Sequence, residues 1–230
     1  KRLRESKKDS RSIDNFFGNL YGRGHCSDCD LGNHIFIKFT SQFFSMKDII
    51  VIGGGLAGLQ AAIMTAKAGE ETLVLDAGQS LILNSSNIQN LLGHDSVAGR
   101  ELLTSGKQKV QNFDGEINEE EVKKLERTDE GLKVTTGESE YEAEYVIIAS
   151  AGDLSFIELD LELEDGVDDP YMMDQHVKTD ESNKAAEKVY AAGLANSWEH
   201  QSSVAIGDGA KAAVNLLSEK YGEPYDDHDT

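Results

Sequence analysis

The short apolar run at residues 48–52 (DIIVI) leads directly into Gly53-Gly54-Gly55-Leu56-Ala57-Gly58, after which Leu59, Ala62, Ile63 and Ala66 recur at helical spacing. Few local structures suit that order of signals: a buried parallel strand, a tight glycine turn and a helix. The glycines have separate tasks in such a turn. Gly53 permits the sharp reversal, Gly55 lets the backbone approach a pyrophosphate, and Gly58 lets the helix pack closely on the sheet. Unpaired N–H groups and the positive dipole end at the helix start would then face the phosphates. Gly69 is a plausible C-cap. Thr72–Leu75 reads as a second strand, closed by Asp76, which lies 18 residues beyond Gly58. An acid at that point can accept hydrogen bonds from adenosine ribose hydroxyls. A glycine-rich turn with no ligand is the plain alternative, and the flanking strand and helix weigh against it.

Further along, residues 122–125, Leu132–Thr136 and residues 141–143 read as short antiparallel strands, separated by Glu130-Gly131 and Gly137-Glu138 turns. Residues 145–149 (YVIIA) form another buried strand, 189–192 a further one, and 202–217 a long helix. The acidic stretch 160–169 has no clear assignment. The fold class expected is therefore α/β: a Rossmann-like dinucleotide-binding domain with a central parallel sheet and a small antiparallel meander.

Residues 1–45 differ from the rest in every respect that composition can show. They carry both cysteines, six of the eight phenylalanines and a net charge of +3, whereas residues 46–230 carry −23. An expression leader, an over-extended start and a genuine appended segment are the three explanations, and the first two fit best. The domain is taken as 46–230, with 1–45 as an extension outside the fold. Cys26 and Cys29, with His25 or His34, have the spacing of half a zinc site, but a closed site wants four ligands, so no metal is assigned.

The acidic field repels nucleic acid and anionic membrane surfaces, which drop as partners. It also resembles the surface of a protein working in molar salt, and it points to a halophilic archaeal source; a merely acidic protein is the alternative. No apolar run approaches the roughly 20 residues of a membrane span. Two cysteines cannot make a disulfide scaffold, and a reducing cytoplasm is the default compartment.

Several segments in order resemble the FAD domain of the thioredoxin-reductase-like pyridine nucleotide–disulfide oxidoreductases. They are IIVIGGGLAGLQAA at 49–62, NIQNLLGHDSVAGRELL at 87–103, EYVIIASAG at 144–152 and VYAAGLANSWEHQSSVAIGDGAKAA at 189–213. The resemblance implies FAD as cofactor, held by Gly53, Gly54, Gly55, Leu56, Ala57 and Gly58 at the pyrophosphate. It also places Asp76 at the adenosine ribose and the Val122 backbone at the adenine. Asn90 would lie beside the flavin, with Gly193 and Gln201 near the ribityl chain and isoalloxazine. Helix 202–217 would aim its N-terminal dipole at the electron-rich end of the ring. His200 and Trp198 fall in the same neighbourhood, the former as a proton donor or a solvated helix-start residue, the latter as a ring cover or a packing residue.

Three departures from the family qualify this. Its inserted NAD(P)H-binding domain of ~120 residues has no counterpart, because residues 153–188 alone separate Gly152 from Val189. The redox-active Cys-x-x-Cys of that domain is missing with it. The aspartate that follows Ala-Ala-Gly in the family is Leu194 here. What the resemblance implies is an FAD-dependent oxidoreductase that passes electrons through its flavin without a resident dithiol; thioredoxin reductase activity itself is disfavoured. Diffusible NAD(P)H, a ferredoxin-like protein or a thiol would be the donor, and the acceptor is open. A homodimer is compatible with this. The flavin carries the chemistry, so no catalytic side chain need be evident. The alternatives are a non-catalytic FAD- or NAD-binding module, a subunit completed by a partner, and an NAD-binding Rossmann protein without chromophore.

Overall fold

Alternation along one strand decides the layering. The computed structural model describes residues 46–165 and 175–227. In β1 (Lys47–Ile52), Ile49 and Val51 face a core shared with the helices, and Ile50 and Ile52 face a second core on the opposite side. A strand buried on both faces needs apolar residues at consecutive positions, which DIIVI supplies. Each such side chain contributes roughly 1.5–3 kcal/mol on burial.

The chain continues through α1 (Leu56–Lys67), β2 (Thr72–Leu75), α2 (Gly99–Asn112) and β3 (Glu116–Asn118). The meander follows as β4 (Val122–Arg127), β5 (Leu132–Thr136) and β6 (Glu140–Ile148). Then come β7 (Leu163–Asp165), β8 (Gln175–Val177), β9 (Lys184–Ala186), β10 (Val189–Ala191) and α3 (Ser202–Tyr221). The sheet runs β3-β2-β1-β6-β10-β9, parallel except for the last pair, and β4 and β5 extend it antiparallel from β6. Strands β7 and β8 pair separately. Helices α1, α2 and α3 contribute to one core, with Leu59, Leu103, Val110, Leu216 and Leu217 packed on Ile49, Val51, Val74 and Ile147. Leu125, Leu132, Val134, Leu154 and Val177 cover the other face. The expected Rossmann-like α/β class is therefore the observed one.

Four details differ from the sequence reading. Residues 141–143 and 145–148 belong to one nine-residue strand, β6, which ends one residue before Ala149. No turn residue separates them, so one end pairs with the meander and the other with β1 and β10. Helix α3 runs four residues further than expected and stops at Gly222, whose φ of 70° is the left-handed cap that glycine accepts readily. The unassigned acidic stretch contains β7. Strands β3, β8 and β9, three residues each, are too short for any period to reveal. The Cys26–Cys29 pair and the whole of 1–45 lie outside the described residues.

At the amino edge of the sheet a charge cluster ties α3 to the strands. Lys220 donates to Glu144 at 2.6 Å and to Asp48 at 3.2 Å, and lies 3.3 Å from Glu70. Burial acts to lower its pKa, but the carboxylates outweigh it and hold the ammonium well above its usual range. Among the described residues, no helix is long and apolar enough to cross a membrane.

Candidate functional site

The opposite, carboxyl edge of the sheet is where chemistry-bearing residues converge. One residue beyond each parallel strand the ladder of hydrogen bonds continues. Asp76 N–H donates to Asn118 O (2.9 Å), Gly53 N–H to Leu75 O (2.8 Å), Ala149 N–H to Ile52 O (2.8 Å) and Ala192 N–H to Ile148 O (2.9 Å). Asn118, Asp76, Gly53, Ala149 and Ala192 therefore stand side by side, along an edge of about 19 Å at ordinary strand spacing. Strand order reverses between β1 and β6, and open α/β sheets bind ligands in the crevice at such a switch point.

At that crevice the loop glycines divide into two kinds. A Cβ on Gly53, whose φ is +113°, would lie 2.5 Å from Ala149 O; one on Gly58 would lie 1.9 Å from Gly53 O; one on Gly54 would lie 2.2 Å from Asp76 Cγ. The protein's own packing demands these three glycines. Gly55 is different: its φ of −76° suits any residue, and its Cβ would meet only Ser80 Oγ, at 3.4 Å. The fold gives no reason for glycine there, so the open flank fits a ligand that must approach the backbone closely. No side chain caps α1, and its first turn holds no acid. The N–H groups of Leu56, Ala57 and Gly58 thus remain available to an anion.

Beyond the loop on one side, Asp76 is 5% exposed; its Oδ1 accepts the Gly78 N–H (2.9 Å) and its Oδ2 lies 2.6 Å from Lys107 Nζ. The chain past β3 is pinned there by a small network. Glu120 accepts from Tyr141 Oη at 2.6 Å and from Thr136 Oγ1 at 2.5 Å, and Asn118 Nδ2 donates to Tyr141 Oη at 3.0 Å. Burial, then the Glu120 hydrogen bond, raises the Tyr141 pKa and keeps the phenol a donor. This fixes the approach to Val122, the first residue of β4, paired with Thr136 at a bulge.

On the other side lies the turn after β10. Gly193 has φ +65°, and a Cβ on it would come within 2.7 Å of Ala57 Cβ, so this turn abuts the glycine loop. Asp208 of α3 holds it: Oδ2 accepts the Gly193 N–H (2.7 Å) and Asn196 Nδ2 (3.2 Å), and Oδ1 accepts Asn183 Nδ2 (2.7 Å). A Cβ on Gly209 would meet Ala57 O at 2.1 Å, which seats α3 directly against the start of α1. Asn90 and Gln201, far apart in sequence, meet through an Nδ2 to Oε1 hydrogen bond of 2.9 Å, and Ser203 Oγ donates to Asn90 O at 3.3 Å. Helix α3, like α1, begins with no side-chain cap and no acid in its first turn. His200 and Trp198 are both exposed, Trp198 by 51%. Leu194 turns its carbonyl toward Nδ1 of buried His176 at 3.0 Å, where Nδ1–H must be the donor.

The structure thus gathers Gly53, Gly54, Gly55, Leu56, Ala57, Gly58 and Gly193 at one centre. Asp76 and Val122 lie toward one end, and the Asn90–Gln201 pair begins α3. Asp208 and Lys107 were missed from sequence. Gly207-Asp208-Gly209 inside a helical pattern was a usable signal, since interior glycine costs about 1 kcal/mol and needs a packing reason. Lys107 gave none, standing 31 positions from Asp76.

Residues 47–209 match the pyridine nucleotide-disulphide oxidoreductase family. The chain belongs to that family. A thioredoxin reductase of Bacillus subtilis is 32% identical over 108 residues, which are 46% of this chain and 34% of that protein. The chain therefore spans about a third of the curated relatives it matches. In fold it is similar to a thioredoxin reductase from Gloeobacter violaceus, with a TM-score of 0.66, 16% identity, and coverage of 80% of this chain and 98% of that one. An oxidoreductase from Agrobacterium tumefaciens superposes with a TM-score of 0.67 at 16% identity, over 78% of this chain and 100% of that one. Within the pyridine nucleotide-disulphide oxidoreductases, this member has the thioredoxin-reductase-like α/β fold.

Proposed function

We propose that this family member is an FAD-dependent oxidoreductase whose single cofactor groove runs along the carboxyl edge of the sheet. The observation that carries the reading is Gly55, a glycine the fold does not need, set between an uncapped helix and the switch point. When bound, FAD supplies the redox chemistry, and the protein supplies binding and orientation. The backbone of residues 53–58 would take the pyrophosphate, Asp76 the adenosine ribose and the Val122 backbone the adenine. Gly193, Asn90 and Gln201 would line the ribityl and isoalloxazine end, toward which α3 directs its positive dipole end.

Residues 153–188 are too few for a nicotinamide-binding domain between Gly152 and Val189, and they contain no cysteine. The proposal therefore includes a diffusible or protein-borne electron donor and a reaction without a dithiol relay in this segment. The same shortness favours one second reading, a flavin-binding subunit that works only with a partner. A visible spectrum before and after anaerobic NADPH separates them. Flavin bands that bleach support the oxidoreductase, and bands that persist favour the second reading or another donor. A colourless protein that takes up no added FAD overturns both.

A further inference from the structure

Lys107 is the cation that α2 brings to the adenosine end of this groove. Its Nζ lies 2.6 Å from Asp76 Oδ2 and 3.9 Å from Glu119 Oε1, so it bridges the walls formed by the ends of β2 and β3. Asp76 is buried, and its carboxyl group lies directly over Gly54 in the glycine loop. A desolvated carboxylate beside that loop would repel a pyrophosphate, and a carboxylate free to turn would present its oxygens to a ribose only part of the time. The ammonium answers both problems, because the ion pair neutralises the acid, and with the Gly78 N–H bond on Oδ1 it fixes the carboxyl plane. Each carboxylate oxygen has two acceptor sites, so Asp76 can hold these donors and still accept ribose hydroxyls.

We infer that Lys107 is a positioning residue for the adenosine half of the dinucleotide and sets the preference of the site for FAD over FMN. This rests on the FAD reading above. It acts through Asp76 rather than by touching the redox centre.

The test is a flavin-fluorescence titration of the full chain, stripped of flavin, with FAD and separately with FMN, which lacks the adenosine half. Lys107→Met should weaken FAD binding by roughly 10- to 100-fold, the worth of a charge-assisted hydrogen bond, and leave FMN binding unchanged. Lys107→Arg should restore most of the FAD affinity. Unchanged or tighter FAD binding by Lys107→Met would overturn the inference, since the lysine would then be a surface ion pair or a competitor of the ribose. Equal loss for both flavins would overturn it too, by showing a general structural effect. Failure of the wild-type chain to bind FAD overturns the cofactor reading, whereas the two preceding outcomes leave that reading intact.

Discussion

Two glycine-to-alanine changes, three positions apart, should have opposite consequences. In Gly55→Ala the new methyl meets only Ser80 Oγ at 3.4 Å, and the backbone at φ −76° and ψ −174° accommodates alanine. Reduced freedom of the unfolded chain stabilises by about 0.4–1 kcal/mol, while alanine is the poorer N-cap by a similar amount. These nearly cancel, so the melting temperature should stay within about 4 °C of wild type. The methyl nonetheless occupies the flank where, in the proposed FAD site, the pyrophosphate would lie against the backbone. Losing even one N–H bond to a charged phosphate costs about 1.5–3 kcal/mol, or at least roughly tenfold in FAD affinity. In Gly58→Ala the methyl would be 1.9 Å from Gly53 O, a backbone atom that cannot swing aside. Overpacking of that kind costs about 3 kcal/mol or more, a fall of roughly 6–12 °C.

Thermal melts of the flavin-free proteins, paired with FAD titrations, read both effects. A Gly55→Ala protein that binds FAD as wild type does would refute the reasoning, since Gly55 would then have no ligand to make room for. A Gly58→Ala protein as stable as wild type would refute the packing half.

Three further perturbations probe other parts of the structure. Asp208→Ala leaves the buried Gly193 N–H without its acceptor, so stability should fall by about 2 kcal/mol, and a melt indistinguishable from wild type would count against Asp208 as the anchor of that turn. Glu144 is held below its usual 4.5, chiefly by the Lys220 hydrogen bond, and Asp48 below 3.8, where burial opposes the shift but the Glu71 N–H and Lys220 prevail. Depressed carboxylates contribute stability above those ordinary values and lose it as pH falls through the folded ones, whereas the raised Lys220 contributes below 10.5 and loses it as pH climbs further. Lys220→Met should therefore flatten both limbs of the stability–pH curve, and an acid limb as steep as wild type would contradict the linkage. Finally, the −23 carried by residues 46–230 should make the protein melt higher in molar KCl than in dilute buffer; no gain would remove the salt-adapted reading.

What the sequence disclosed and what it hid follow from the range of the interactions involved. The strand–loop–helix unit was legible because its signals are local: residues 49–52 are apolar, the glycines follow at once, and the helical period begins within the next few residues. Asn90 and Gln201 came from a resemblance, and their mutual hydrogen bond joins parts of the chain that no local pattern relates. The continuity of β6 was hidden for a different reason. Its alternating half, exposed on one face, and its fully buried half give different periods, and the break between periods looked like a break between strands. Lys107 was invisible altogether, since a lysine on a helix is ordinarily a solvated residue and only the packing of α2 beside α1 brings it to Asp76.

Residues 153–188 deserve a different description from the one their shortness invites. Their described parts, 153–165 and 175–188, are built into the domain rather than left as a stub. Leu154 and Val177 are buried in the core on the meander face, and β9 pairs with β10. Thr179 Oγ1 donates to Asn196 Oδ1 at 2.6 Å, His176 donates to the Leu194 carbonyl, and Asn183 Nδ2 reaches both Ala191 O and Asp208. Apart from the Ala191 bond, which ends on β10 itself, each ends on the turn after β10 or on the residue that anchors it. Residues 176–183 thus position the 193–196 turn from behind, while Asp208 holds it from α3. That double support bears on Leu194, where the family's aspartate is missing. In the proposed FAD site a side-chain contact to the ribityl chain would be forgone, but the backbone of the turn is fixed from two elements. A groove so preorganised can rely on main-chain groups for orientation, which is why the loss of one side chain does not argue against a flavin in the proposed site.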